Sequence, residues 1–230
     1  GMVLAGAQVC YLDSYPLDEY SMYGAVPLRE IKHQLLKLKA EGKLDRVRML
    51  LLTNCTFDGL VYNVERVMEE CLAIKPDLIF LWDEAWFAFA RFNPTYRQRT
   101  AMSAATTLRD RFRSDEHKRK YEAQQTLLKD ADEEKLLNTR LVPPPTARVR
   151  AYATQSTHKT LTSLRQGSMI HVNDQDFKGE VEQAFHEAYM THTSTSPNYQ
   201  IIASLDVGRR QVELEGFEFV QRQIEAAMSM

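Results

Sequence analysis

Two apolar runs separated by a helix-length segment constrain the fold of this chain more than any other feature. Val47–Thr53, V-R-M-L-L-L-T, and Leu78–Trp82, L-I-F-L-W, have the length and near-continuous hydrophobicity of strands buried on both faces. Between them, Val64–Ile74 carries Val67, Met68, Cys71 and Leu72 at helical spacing, and Pro76-Asp77 ends it. Strand, helix, strand at this spacing predicts a βαβ unit, and hence a mostly parallel sheet with helices on both faces. A further strand is predicted where Val149–Ala153 alternates apolar and polar residues, ending near Ser156. The expected class is three-layer α/β/α. Ligands of such sheets bind beyond the carboxyl ends of the strands. Asn54, Asp83 and Lys159 each follow an apolar strand, so the topology predicts that they share one rim.

The remaining segments fill in around that unit. Met2–Leu12 is apolar almost throughout and reads as strand, turn at Gly6, strand, followed by a tyrosine- and proline-rich loop over Asp13–Pro27. Pro27 opens a helix over Leu28–Ala40. Arg97–Arg140 holds dense charge of both signs and no Gly or Pro. Its thin stripe of Leu108, Phe112, Tyr121, Leu127 and Leu128 predicts one or two exposed helices with a solvated face, available to another subunit. This segment reads as an insertion over about 97–146, closed by the stiff L-V-P-P-P-T. A short strand over Ser168–Val172, a helix over Phe177–Met190, a hydroxyl-rich turn over Thr191–Asn198 and one long helix over Asn198–Met230 complete the chain. Residues 1–196 are therefore expected to form one core, and 197–230 a helix leading out of it.

A chain of 230 residues is long enough to bury one large core, and a formal net charge of −2 implies no polyanionic partner such as nucleic acid. No apolar run has membrane-spanning length and no secretory signal is evident. Cys10, Cys55 and Cys71 are odd in number and lack paired spacing, which predicts buried free thiols in a reducing cytoplasm and no metal site. The opening Gly1-Met2 reads either as native or as a tag remnant.

Chemistry concentrates between Tyr152 and Val172, Y-A-T-Q-S-T-H-K-T-L-T-S-L-R-Q-G-S-M-I-H-V. Lys159 follows a hydroxyl pair and an imidazole, and no charged residue except His158 lies near it between Arg150 and Arg165. A lysine on a loop at a strand end is well placed for reaction. Asp83, ending L-I-F-L-W, is either a carboxylate held in low dielectric or a helix cap. Trp86 reads as a site residue or as a core tryptophan.

S-T-H-K followed by S-M-I-H-V, together with D-E-A-W at Asp83–Trp86 and T-N-C-T-F-D-G-L-V-Y-N from Thr53, resembles the ornithine/lysine/arginine decarboxylases. These are pyridoxal-phosphate enzymes of the aspartate-aminotransferase-like fold type I. The resemblance implies that Lys159 forms the Schiff base with pyridoxal 5'-phosphate and that Asp83 keeps the ring nitrogen protonated. It places Trp86 near the cofactor, gives Ser156 and His158 as phosphate donors, and sets Asn54 and Thr56 in the turn beside the phenolic oxygen. It assigns Ser194 to a region reaching the neighbouring subunit's site; His171 and His192 read as structural. It further implies a cytoplasmic homodimer or higher homo-oligomer that decarboxylates a basic amino acid. An aminotransferase or another lyase of the same fold shares the lysine and aspartate, and an inactive fragment is a third reading. Members of the family carry a Gly/Ser/Thr-rich phosphate loop and a ring-stacking histidine before this region, and a small domain after it. The chain is accordingly expected to be the central part of a large domain, with weak cofactor binding alone.

Overall fold

The computed structural model of the chain describes residues 2–230; Gly1, and with it the question of a tag remnant, lies outside the described residues. The predicted sheet is present. Strands β3 (Met49–Thr53), β4 (Ile79–Asp83), β5 (Arg150–Ser156) and β6 (Ser168–Asp174) lie in that order, preceded in the chain by a separate hairpin of β1 (Tyr15–Leu17) and β2 (Met22–Ala25). β3, β4 and β5 are parallel, and β6 turns back antiparallel to β5. The fold is α/β with a mostly parallel mixed sheet.

Helix boundaries follow capping chemistry. α1 (Leu28–Ala40) begins after Pro27, and α2 (Val64–Ile74) begins where the Asn63 side chain accepts from Arg66 N. After the short α3 (Pro94–Arg97), α4 (Ala101–Phe112), α5 (Asp115–Leu127) and α6 (Glu133–Asn138) are capped by Thr100, Ser114 and Asp132. A π-helical turn at Phe177–Val181 leads into α7 (Glu182–His192), and α8 (Tyr199–Met228) closes the chain, capped by Asn198.

The two crossovers that join β3 to β4 and β4 to β5 place α2 and α4 side by side on one face. There Leu52, Phe80, Trp82, Ala151 and Ala153 pack against Val67, Met68, Leu72, Ala104, Ala105 and Leu108 in a single core. The opposite face is covered unequally. Phe185 of α7 lies 6.3 Å from the ring of Tyr152, whereas Met49 and Leu51 on β3 remain 43% and 44% exposed. The helical layers expected on both faces are thus a full layer and a partial one.

Three expectations are corrected. Met2–Gly6 is a turn and Ala7–Ser14 carries no strand; the hairpin forms instead inside the predicted tyrosine-rich loop. The charged segment is not simply a solvated insertion, because α4 buries Ala101, Ala104, Ala105, Leu108 and Phe112. Alanines let the helix approach the sheet closely, so a thin apolar stripe suffices. Cys55 and Cys71 are buried free thiols, but Cys10 is exposed.

Downstream of α4, buried polar contacts hold the chain. Lys32 Nζ bonds Glu70 Oε2 at 2.7 Å and the carbonyls of Leu137 and Thr139 at 3.0 and 2.7 Å, which satisfies its three donors. Arg140 pairs with the neighbouring Glu69 at 2.6 Å.

The docking of α4 predicts that Leu108→Ala destabilises the chain by about 2–5 kcal/mol in urea unfolding, while Leu127→Ala, at an exposed position, changes it by less than about 0.5 kcal/mol. Equal small effects would mean that α4 does not belong to the core.

Candidate active-site rim

The strand register builds the rim. Thr53 pairs with Asp83 and Asp83 with Thr154, so β3 and β4 end level while β5 continues beside β6 to Ser156. The next residues continue the ladder: Asn54 N donates to Asp83 O and Glu84 N to Thr154 O, both at 2.8 Å. Alternation then sends successive side chains to opposite faces. Asp83, following Leu81, points to the sparsely covered face. Glu84, following Trp82, points to the face that α4 covers.

Asp83 is half-buried, and its Oδ1 accepts from Ala85 N at 3.1 Å, which tightens the turn into Trp86. Trp86 is 41% exposed and forms the floor of the rim. Lys159 Nζ lies 5.2 Å from the centre of its ring, and Phe57 meets the indole edge-on with centroids 5.9 Å apart. A cation over an exposed indole gains about 0.5–1 kcal/mol, enough to give the exposed Lys159 side chain a preferred resting place.

The loop carrying Lys159 is fastened behind the lysine. Thr157 N donates to Gly167 O at 3.2 Å, and Ser163 donates to Thr157 O through N at 3.2 Å and Oγ at 2.7 Å. His158 Nδ1 lies 3.2 Å from Gly167 O, a carbonyl, so Nδ1 carries a proton and a second N–H exists only in the imidazolium. Ser156 Oγ makes no hydrogen bond among the described residues, and Thr157 Oγ1 is buried without a partner. α8 backs this loop: Ser204 Oγ accepts from Leu164 N at 3.1 Å, and a Cβ on Gly167 would meet Thr157 Oγ1 at 2.3 Å and Leu205 Cδ2 at 2.8 Å.

Asp83, Trp86, Ser156, His158 and Lys159 therefore gather at one end of the sheet. Asn54 and Ser194 do not join them. The Asn54 side chain is fully buried, its amide nitrogen donating to Arg99 O and its oxygen accepting from Tyr62 N, both at 3.1 Å. Ser194 sits in the exposed turn before α8 and, among the described residues, bonds only Ser196. Thr56 lies in the loop beside Phe57, its hydroxyl accepting from Leu60 N at 3.1 Å. The rim is open; two cavities of the molecule lie along α1, against α6 and against α2, away from Lys159.

One prominent group escaped the sequence reading. Glu84 is fully buried; Oε1 accepts from Ala101 N at 2.7 Å and Oε2 from Gln155 Nε2 at 2.8 Å. Its position after an alternating strand is the signal that could have found it. Burial raises its pKa above the ordinary carboxylate value, and the N–H groups of Ala101, Gln155 and Asn54 only partly offset this. The folded state thus holds the Glu84 proton more tightly than the unfolded chain. Its contribution to stability falls as pH rises from the unfolded value near 4.5 through the folded one. Glu84→Gln lacks that proton equilibrium, so the stability of the parent relative to this variant is expected to decline with rising pH across that interval in parallel urea titrations. A difference that is flat or rises with pH contradicts the assignment.

The model of the family described as Orn/Lys/Arg decarboxylase, major domain, matches residues 1–126 and 144–230. Lysine decarboxylase LdcA of Pseudomonas aeruginosa is 31% identical over 99% of the chain, which covers 26% of that relative. The biodegradative arginine decarboxylase of Escherichia coli is 30% identical over 99% of the chain and 26% of its own length. Among solved structures, lysine decarboxylase A from Pseudomonas aeruginosa superposes with a TM-score of 0.61 at 27% identity, over 99% of this chain and 26% of that one. The E. coli constitutive lysine decarboxylase gives 0.55 at 26% identity, covering 91% and 23%. The chain spans about a quarter of the length of these relatives. It belongs to the Orn/Lys/Arg decarboxylase family, through that family's major domain.

Proposed function

We propose that the chain carries the cofactor rim of a pyridoxal-phosphate-dependent decarboxylase acting on a basic amino acid. The observation that supports this most directly is Lys159 seated on Trp86 at the strand ends that also present Asp83. The groups at the rim fit the cofactor in kind: a primary amine, a carboxylate, an indole face and a hydroxyl without a protein partner. When bound, pyridoxal phosphate supplies an aldehyde that condenses with amines and a ring that accepts electrons as a carboxylate leaves as carbon dioxide.

The chain's own side chains have distinct tasks. Lys159 would supply the amine that holds the cofactor. Asp83, emerging from an apolar strand, favours a proton on the ring nitrogen by its charge. Trp86 offers a flat apolar surface. Ser156 Oγ and His158 Nε2 are the groups that would donate to the cofactor's phosphate. Thr56 borders the site from the neighbouring loop. Asn54 acts as a buried brace of that loop, since both ends of its amide are engaged. The open rim fits weak cofactor retention by this chain alone. A homo-oligomer and a cytoplasmic setting belong to the same proposal; the buried free thiols of Cys55 and Cys71 suit a reducing compartment.

Names among the relatives span lysine, arginine and ornithine decarboxylases, so the substrate is proposed only as a basic amino acid. The expected result is a pyridoxyl group trapped on Lys159 by borohydride after incubation with pyridoxal phosphate, located by peptide mapping and absent in Lys159→Ala. Any carbon dioxide released from lysine, arginine or ornithine should fall to background in the same variant. Modification spread over surface lysines, with Lys159 spared, would refute the proposal.

A further inference from the structure

The hydrogen bonds of Glu84 extend beyond α4. Gln155, which takes one Glu84 oxygen, also faces β6: its Oε1 lies 3.1 Å from His171 Nε2. An ionised carboxylate only accepts, so the Gln155 amide must turn its nitrogen to Glu84 and its oxygen to His171. The oxygen in turn requires a proton on His171 Nε2. Burial lowers the pKa of His171, so the neutral ring carries that single proton.

This relay joins three neighbouring chain segments on the helix-covered face: the turn after β4, the end of β5, and β6. Glu84 directly follows Asp83, and Gln155 directly precedes Ser156. Asp83 and Ser156 are therefore each one peptide away from a residue locked underneath the rim.

We propose that Glu84 is a positioning residue: acting through Gln155, it holds the Asp83 turn and the Ser156–Lys159 segment in fixed relation and sets the proton of His171 on Nε2. The inference rests on the reading of the rim as a cofactor site. The competing role is that of a plain helix cap. Thr100 Oγ1 already accepts from Ser103 N at the start of α4, and Glu84 adds the Ala101 N–H. A cap alone has no reason to involve Gln155 or His171.

Glu84→Gln separates the two roles. The new side chain keeps its oxygen on Ala101 N and turns an NH2 toward Gln155. Gln155 must then flip to offer its oxygen, which presents its own NH2 to His171, and His171 must accept at Nε2 with its proton moved to Nδ1. Imidazole 15N shifts of His171 at mildly alkaline pH are expected to show the Nε2–H form in the parent and the Nδ1–H form in the variant. Gln155→Ala, which leaves the contact between Glu84 and Ala101 intact, provides the second arm. In both variants, borohydride-trapped labelling of Lys159 by pyridoxal phosphate should slow roughly tenfold while other lysines label at the parental rate, as expected for loss of one charge-assisted hydrogen bond. An unchanged His171 tautomer in Glu84→Gln overturns the proposal, as does parental labelling of Lys159 in Gln155→Ala. Failure of the parent itself to label at Lys159 would count against the cofactor reading instead, and the His171 signature would then decide alone between positioning and capping.

Discussion

The level pairing of Thr53, Asp83 and Thr154 is the constraint on which the rest of the site depends. Three parallel strands in level register convert three distant stretches of sequence into one edge, with β5 running on to Ser156. A slip of one residue in β4 would send Asp83 into the helix-covered core and Glu84 out to the open face. The register is protected by what lies under it. Leu52, Phe80, Trp82, Ala151 and Ala153 fill one face against α2 and α4, so a slip would expose apolar side chains.

Glu84 marks the place where this architecture departs from a simple apolar core. A fully buried carboxylate carries a desolvation cost of several kcal/mol unless donors surround it. Here a backbone N–H of α4 and the amide of Gln155 meet it. The same contacts tie the helix to the strand ends, so the charge that is costly to bury also fixes the edge that carries Asp83 and Lys159. In the proposed arrangement, polar groups on one face of the sheet brace Asp83 and Lys159 on the other.

The sheet was legible because β3 and β4 are apolar runs of strand length and α2 is bounded by Asn63 and Pro76, whose effects are local. The gathering of Asp83 and Lys159 followed from topology alone. Other features depend on tertiary partners that local pattern does not show. Met2–Leu12 has strand-like composition but finds no strand to pair with, while the tyrosine-rich stretch behind it forms a hairpin. α4 hides its buried face in alanines among charges, so its docking on β5 and β6 could not be read from a stripe of large residues. The family match is interrupted at 127–143, inside the segment of about 97–146 read as an insertion. Asn54 looked available at a strand end, yet its amide is consumed by Arg99 and Tyr62, contacts 45 and 8 residues away in sequence.

The central claim is that Asp83 and Lys159 act together on one cofactor at this edge. The most direct measurement is an absorbance titration of the chain with pyridoxal phosphate, run beside Asp83→Asn. The account predicts a saturable band near the edge of the visible in the parent, and in the variant a band that is displaced and needs higher cofactor concentration, since the amide cannot stabilise a proton on the ring nitrogen by charge. Superimposable spectra and equal affinities would contradict it, and would leave Lys159 as a reactive surface amine unconnected to Asp83.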